Sequence, residues 1–89
     1  MRLSPVLDRI DADLEAAVDR LSDLLRIPSI STDPAYAADV QRAADWLVAD
    51  LQGLGIPAEK RATAGHPIVM GHIDGPGPHL LFYGHYDVQ

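Results

Sequence analysis

The sequence predicts an α/β chain in which two N-terminal helices are followed by three strands, the beginning of a larger mixed-sheet α/β domain. Three observations carry this. Apolar residues recur at three- and four-residue spacing through residues 7–25 and again through 40–54, the period of an amphipathic helix. After Gly55 the period changes, and short apolar runs separated by Gly- and Pro-containing segments take over. The last run, Leu80-Leu81-Phe82-Tyr83, reads as a strand covered on both faces. Two amphipathic helices can cover only part of such a sheet.

The first helix opens at Ser4-Pro5, with Ser as N-cap and Pro at the first helical position. Its stripe is Leu7, Ile10, Leu14, Val18, Leu21 and Leu25; acidic residues near its start suit the helix dipole. Ile27-Pro28 stops it, because a residue before proline is pushed out of the α region. Ser29 to Thr32 is a short polar connection, and Asp33-Pro34 repeats the helix-start signal. Val40, Ala44, Leu47, Leu51 and Leu54 mark the second stripe, with Trp46 beside it and half-buried against a neighbour. Gly53 or Gly55 ends this helix, Gly55 being the better left-handed terminator. Residues 56–62 and 67–73 form the first two strands. Asp74-Gly75-Pro76-Gly77-Pro78 is a turn, and 79–83 the third strand, joined to the second as a hairpin.

Composition narrows the function classes. Seven basic against thirteen acidic residues give a net charge of −6, and the only adjacent basic pair is Lys60-Arg61, so nucleic acid and anionic membranes are poor partners. The absence of cysteine excludes a disulfide framework and thiolate zinc ligation. No stretch has the length of a membrane span, and no signal-peptide core follows Met1; a cytoplasmic location is expected. A chain of 89 residues buries only roughly 60–65% of its unfolded surface, so it is expected to be marginal alone.

Four histidines are present: His66, His72, His79 and His85. A catalytic zinc site needs about three protein ligands and an open position, and local spacings such as H-E-x-x-H are absent. His66 precedes a proline and reads as an exposed loop residue. His72 and His79 flank the turn and face each other. His85 stands apart, because it follows Gly84 at the end of the apolar run, the position where open α/β sheets carry their chemistry. Asp87 lies two residues on, on the same side of an extended chain. The natural division makes His85 a metal ligand and Asp87 the carboxylate that orients it. On spacing alone, however, a merely structural role for His-x-Asp outweighs this one.

The segment Leu-Leu-Phe-Tyr-Gly-His-Tyr-Asp-Val-Gln, residues 80–89, resembles the first metal-binding segment of the dinuclear zinc peptidases and deacylases. These include carnosinase-like dipeptidases, acetylornithine deacetylase, succinyl-diaminopimelate desuccinylase and carboxypeptidase G. Leu25-Arg26-Ile27-Pro28-Ser29-Ile30-Ser31 after a long first helix, and Leu54-Gly55-Ile56 after a second, are similar to that superfamily too. Tyr86 and Gln89 lean toward the dipeptidase branch. The resemblance implies that residues 1–89 are the N-terminal part of a metallopeptidase catalytic domain, without the lid or dimerisation domain. It implies His85 as ligand to one of two zinc ions, with cobalt or manganese as alternatives, and Asp87 as the catalytic carboxylate that clamps the site. The remaining ligands and the general base would lie beyond Gln89. The substrate would be a small peptide or an N-acyl amino acid, and the full-length enzyme could be a homodimer.

The expected activity is thus amide-bond hydrolysis by a dipeptidase, with the 89 residues inactive alone. An N-acyl amino-acid deacylase on the same scaffold shares every residue seen here. A non-catalytic α/β interaction domain, with His85 structural, is the alternative of another class; it predicts no bound metal.

Overall fold

The structure, a computed structural model, describes residues 2–89. Helix α1 spans Ser4–Leu25 and helix α2 Ala37–Gly53, with a 3-10 turn over Pro34–Tyr36 leading into α2. Strands β1 (Ala58–Arg61) and β2 (Ile68–Gly71) follow as an antiparallel pair, in register from Ala58 opposite Gly71 to Arg61 opposite Ile68. The coarse expectation of an α/β chain with two leading helices therefore holds.

The ends of the helices are set largely as local chemistry demands. Asp33 is the cap of the 3-10 turn, its carboxylate accepting the Ala35 N–H at 3.0 Å, and Pro34 follows without a donor to satisfy. Leu54 closes α2, and Gly55 takes the left-handed backbone (φ 82°) that terminates it at little steric cost. The start of α1 differs from expectation. Leu3 already has helical backbone and accepts the Leu7 N–H at 2.9 Å, so Ser4 lies inside the helix and caps nothing. No acidic residue falls in that first turn.

The core is small and belongs to α2. Val40, Ala43 and Ala44 are fully buried, and Trp46 is half-buried as its place beside the stripe suggests. α2 lies against the β1–β2 hairpin. Gly71 permits the close approach, since a Cβ there would meet Ile56 Cγ2 at 3.1 Å and Leu51 Cδ1 at 3.4 Å. By contrast, α1 buries no residue. Its stripe of Leu7, Ile10, Leu14, Val18, Leu21 and Leu25 is more than half exposed along its length. An ion pair between Arg20 and Asp50 (3.5 Å) ties it to α2.

The third strand is the main correction. Residues 79–83 form no strand and make no backbone hydrogen bond among the described residues, so β2 pairs with β1 and the expected hairpin across residues 74–78 does not form. Leu81, Phe82 and Tyr83 are 89–95% exposed. An apolar run records what a segment would bury, whereas a strand also needs a neighbour to complete its ladder. The chain regains pairing only further on, where Val88 forms a parallel bridge with Ile30.

Candidate metal centre

The bridge between Ile30 and Val88 brings the segment behind α1 against the end of the chain. The Val88 N–H donates to the Ser29 carbonyl at 2.9 Å, and the Ser29 hydroxyl donates to the Tyr86 carbonyl at 3.2 Å. Ser29 is completely buried, and both of these contacts satisfy it. From the hairpin side, Tyr86 donates its phenol O–H to the carbonyl of Pro67 at 2.7 Å. Burial, and then the negative charge of Asp87, push the Tyr86 phenol above its ordinary pKa, so it stays a donor at neutral pH. The residues around His85 are thereby fixed from two sides.

Within this frame His85 and Asp87 meet as their spacing suggests. Asp87 Oδ1 lies 2.9 Å from His85 Nδ1, and the other oxygen, Oδ2, accepts the Ser31 hydroxyl at 2.5 Å. The Ser31 hydrogen bond, and after it the one from His85, hold the Asp87 carboxyl below its ordinary pKa. An ionised carboxylate only accepts, so the hydrogen of a neutral His85 sits on Nδ1. Nε2 is left with its lone pair and no hydrogen-bond partner among the described residues. That is the tautomer a metal-binding imidazole requires.

These residues line one side of a cleft of about 790 Å³, whose apolar walls include Leu47, Leu51, Val69 and Phe82. His66 lines it as well, which sequence reasoning did not foresee. Its Nε2 donates to the Ser31 carbonyl at 2.8 Å. His72 and His79 lie elsewhere, beside a smaller pocket of about 320 Å³, with rings stacked at 5.9 Å and Asp74 bonded to His72 at 2.7 Å. They face each other as expected. Among the described residues, no three His, Cys, Asp or Glu side chains gather into a metal-binding group. The chemistry of this pair fits one imidazole ligand with its orienting carboxylate.

Ser29 and Ser31 are the residues that sequence reasoning missed. They stood in a polar connection within the resembling segment 25–31, which gave neither hydroxyl a role, and no local signal pairs them with residues 57 and 56 positions away.

The low pKa of Asp87 has a measurable consequence. A carboxylate depressed in the folded state contributes stability that is full above its unfolded pKa and is lost as pH falls through the folded one. In the metal-free protein the Ser31–Asp87–His85 link is thus expected to persist through mildly acidic pH. The carboxyl carbon-13 shift of Asp87 should titrate below the ordinary aspartate value, and Ser31→Ala should move that midpoint upward. A midpoint at or above the ordinary value in the unaltered protein would contradict the geometry.

The chain is similar over its whole length to metallodipeptidases. The Cys-Gly metallodipeptidase of Schizosaccharomyces pombe is 34% identical over 101 residues, covering 100% of this chain and 21% of that protein. The Cys-Gly metallodipeptidase of Candida albicans is 31% identical over 102 residues, covering 98% of this chain and again 21% of the relative. The chain thus spans about a fifth of the length of the curated relatives it matches. No protein-family model matches it, and no solved structure does. The resemblance to metallopeptidases read from residues 25–31 and 80–89 is borne out by these relatives. No helix among the described residues is long and apolar enough to cross a membrane.

Proposed function

We propose that residues 1–89 are the N-terminal part of the catalytic domain of a metal-dependent dipeptidase, with His85 as a metal ligand and Asp87 as the carboxylate that orients it. One observation carries the reading: Asp87 takes the Nδ1 side of the imidazole and leaves Nε2 available beside the cleft. Two divalent cations, zinc foremost with cobalt or manganese as alternatives, would supply Lewis acidity and lower the pKa of a water nucleophile. His85 would hold one of them through Nε2. Asp87 would keep the imidazole in the required tautomer and add negative charge, which raises its basicity as a ligand. The apolar walls would exclude bulk water from a bound dipeptide. The remaining ligands and the general base would come from outside residues 1–89. Residues 79–83 would find their ladder partner in the larger mixed sheet.

The names of the relatives favour dipeptide over N-acyl amino-acid substrates, although the residues in hand serve either. The decisive experiment is hydrolysis of Cys-Gly by the complete natural protein, with and without a chelator. Activity that is lost on chelation and restored by zinc is expected. If neither dipeptides nor N-acyl amino acids are cleaved, and no metal is bound, the interaction-domain alternative replaces this reading.

A companion expectation concerns the segment alone. One imidazole and one orienting carboxylate cannot retain a catalytic ion pair, so purified 1–89 should show no chelator-sensitive hydrolysis with added zinc, manganese or cobalt. Turnover above the buffer rate would mean that the ligand set has been misjudged.

A further inference from the structure

We propose that Ser31 is a positioning residue for the metal site: its hydroxyl holds Asp87, which in turn holds the His85 imidazole. The inference rests on the metal-site reading above and extends it to a residue outside the His-x-Asp motif.

The argument begins with a division of labour between two serines. Ser29 performs the structural task. It is fully buried, its carbonyl accepts the Val88 N–H, and its hydroxyl donates to the Tyr86 carbonyl, so both contacts tie this connection to the backbone of residues 86 and 88. Ser31 adds nothing to that junction through its side chain. Its hydroxyl reaches only the Asp87 carboxylate, at the oxygen that His85 does not use. The two oxygens of Asp87 are therefore held by two different donors, which fixes the plane of the carboxylate as well as its position. A carboxylate held by His85 alone could rotate about its χ2 torsion, which is broad and roughly two-fold, and the imidazole would lose the shorter of its two Nδ1 contacts, keeping only the Asp87 carbonyl at 3.2 Å.

The backbone of Ser31 is itself braced. His66, on the loop before β2, donates from Nε2 to the Ser31 carbonyl at 2.8 Å. Hairpin, connection and terminal motif thus converge in one chain of hydrogen bonds, His66 to Ser31 to Asp87, with His85 at its end. The hydroxyl is a neutral donor to a charged acceptor, a class of hydrogen bond stronger than that between neutral groups. It is partly buried and so competes less with water.

The test uses the complete natural protein. Zinc affinity is measured by competition with a chromophoric chelator, beside thermal unfolding and kcat/KM at limiting and saturating zinc. Ser31→Ala should weaken zinc binding roughly tenfold, the lower end of losses seen when an outer hydrogen-bond partner of a ligand is removed. Unfolding should change little, and saturating zinc should restore most of the activity. Ser31→Thr, which keeps the hydroxyl, should bind zinc within about twofold of the unaltered protein. In an Asp87→Ala background, Ser31→Ala should have almost no further effect on zinc affinity, because its route to the metal is already gone. The same loss in both backgrounds would mean that Ser31 acts through the fold, and the proposal would fall. So would full zinc affinity in Ser31→Ala while Asp87→Ala loses it, an outcome that leaves the metal-site reading standing. An unaltered protein that binds no zinc would remove both.

Discussion

Replacing His85 by alanine in the complete protein should abolish hydrolysis and reduce the bound metal. Asp87→Asn should keep most of the metal and still lose activity by roughly 10–100-fold or more. The asymmetry follows from the hydrogen bonds. His85 presents Nε2 to the cleft, so truncating it deletes a donor atom outright. Asparagine at 87 keeps the shape and can still accept the Nδ1 hydrogen, but it has lost the charge that supports the imidazole. If its amide nitrogen faced Ser31, that group could not accept the hydroxyl hydrogen. His72→Gln and His79→Gln serve as controls. Both residues stack beside a separate small pocket, and their replacement should alter stability at most. Metal content by plasma mass spectrometry, measured beside activity, separates the cases. A full metal complement in His85→Ala, or its loss in His79→Gln, would show that the ligand is another residue.

The second large effect is expected on stability: the isolated 89-residue segment should lack a cooperative unfolding transition. Its accessible surface is 7299 Å², against roughly 5,100 Å² for a compact monomer of its mass. Its radius of gyration is 15.3 Å, where about 12 Å is usual for this length. The excess lies in identifiable places. Seven apolar residues of α1 from Val6 to Leu25 are each 51–56% exposed, and Leu80 to Tyr83 are 82–95% exposed. Among the described residues the fully buried hydrophobic side chains are one valine and two alanines, too little to offset the conformational entropy of ordering the chain. Heating followed by far-ultraviolet circular dichroism should give a broad, shallow curve and binding of hydrophobic dyes. A sharp two-state transition of the monomer, with a midpoint typical of a mesophilic domain, would contradict this.

Local chemistry made much of the fold legible. Asp33-Pro34, Gly55 and the apolar stripe through Val40 and Ala44 each report a backbone or burial requirement within a few residues, and each is met. The sequence also placed His85 and Asp87 together, since a two-residue spacing on extended chain suffices for their contact. What it could not express was pairing at a distance. Residues 80–83 carry the composition of a buried strand, yet nothing in that composition names a ladder partner. His66 is the exposed loop residue that the sequence suggests, but its bond to the Ser31 carbonyl was not legible, because that acceptor lies 35 positions earlier. Ser31 read as a polar connector because its role depends on a residue 56 positions later.

That separation bears on when the site comes into being. Bringing Ser31 to Asp87 closes a loop of 56 positions, at an entropic cost of about 3.5 kcal/mol plus a constant. Folding of α2 and the hairpin, which occupy the intervening chain, shortens the loop left to close and so lowers that cost. The histidine and the aspartate are neighbours from the moment they are synthesised, but the pair is held rigid only after this long-range contact forms. On the proposed reading, metal capture would therefore follow this closure, and bound metal would report that the N-terminal segment has already found its place.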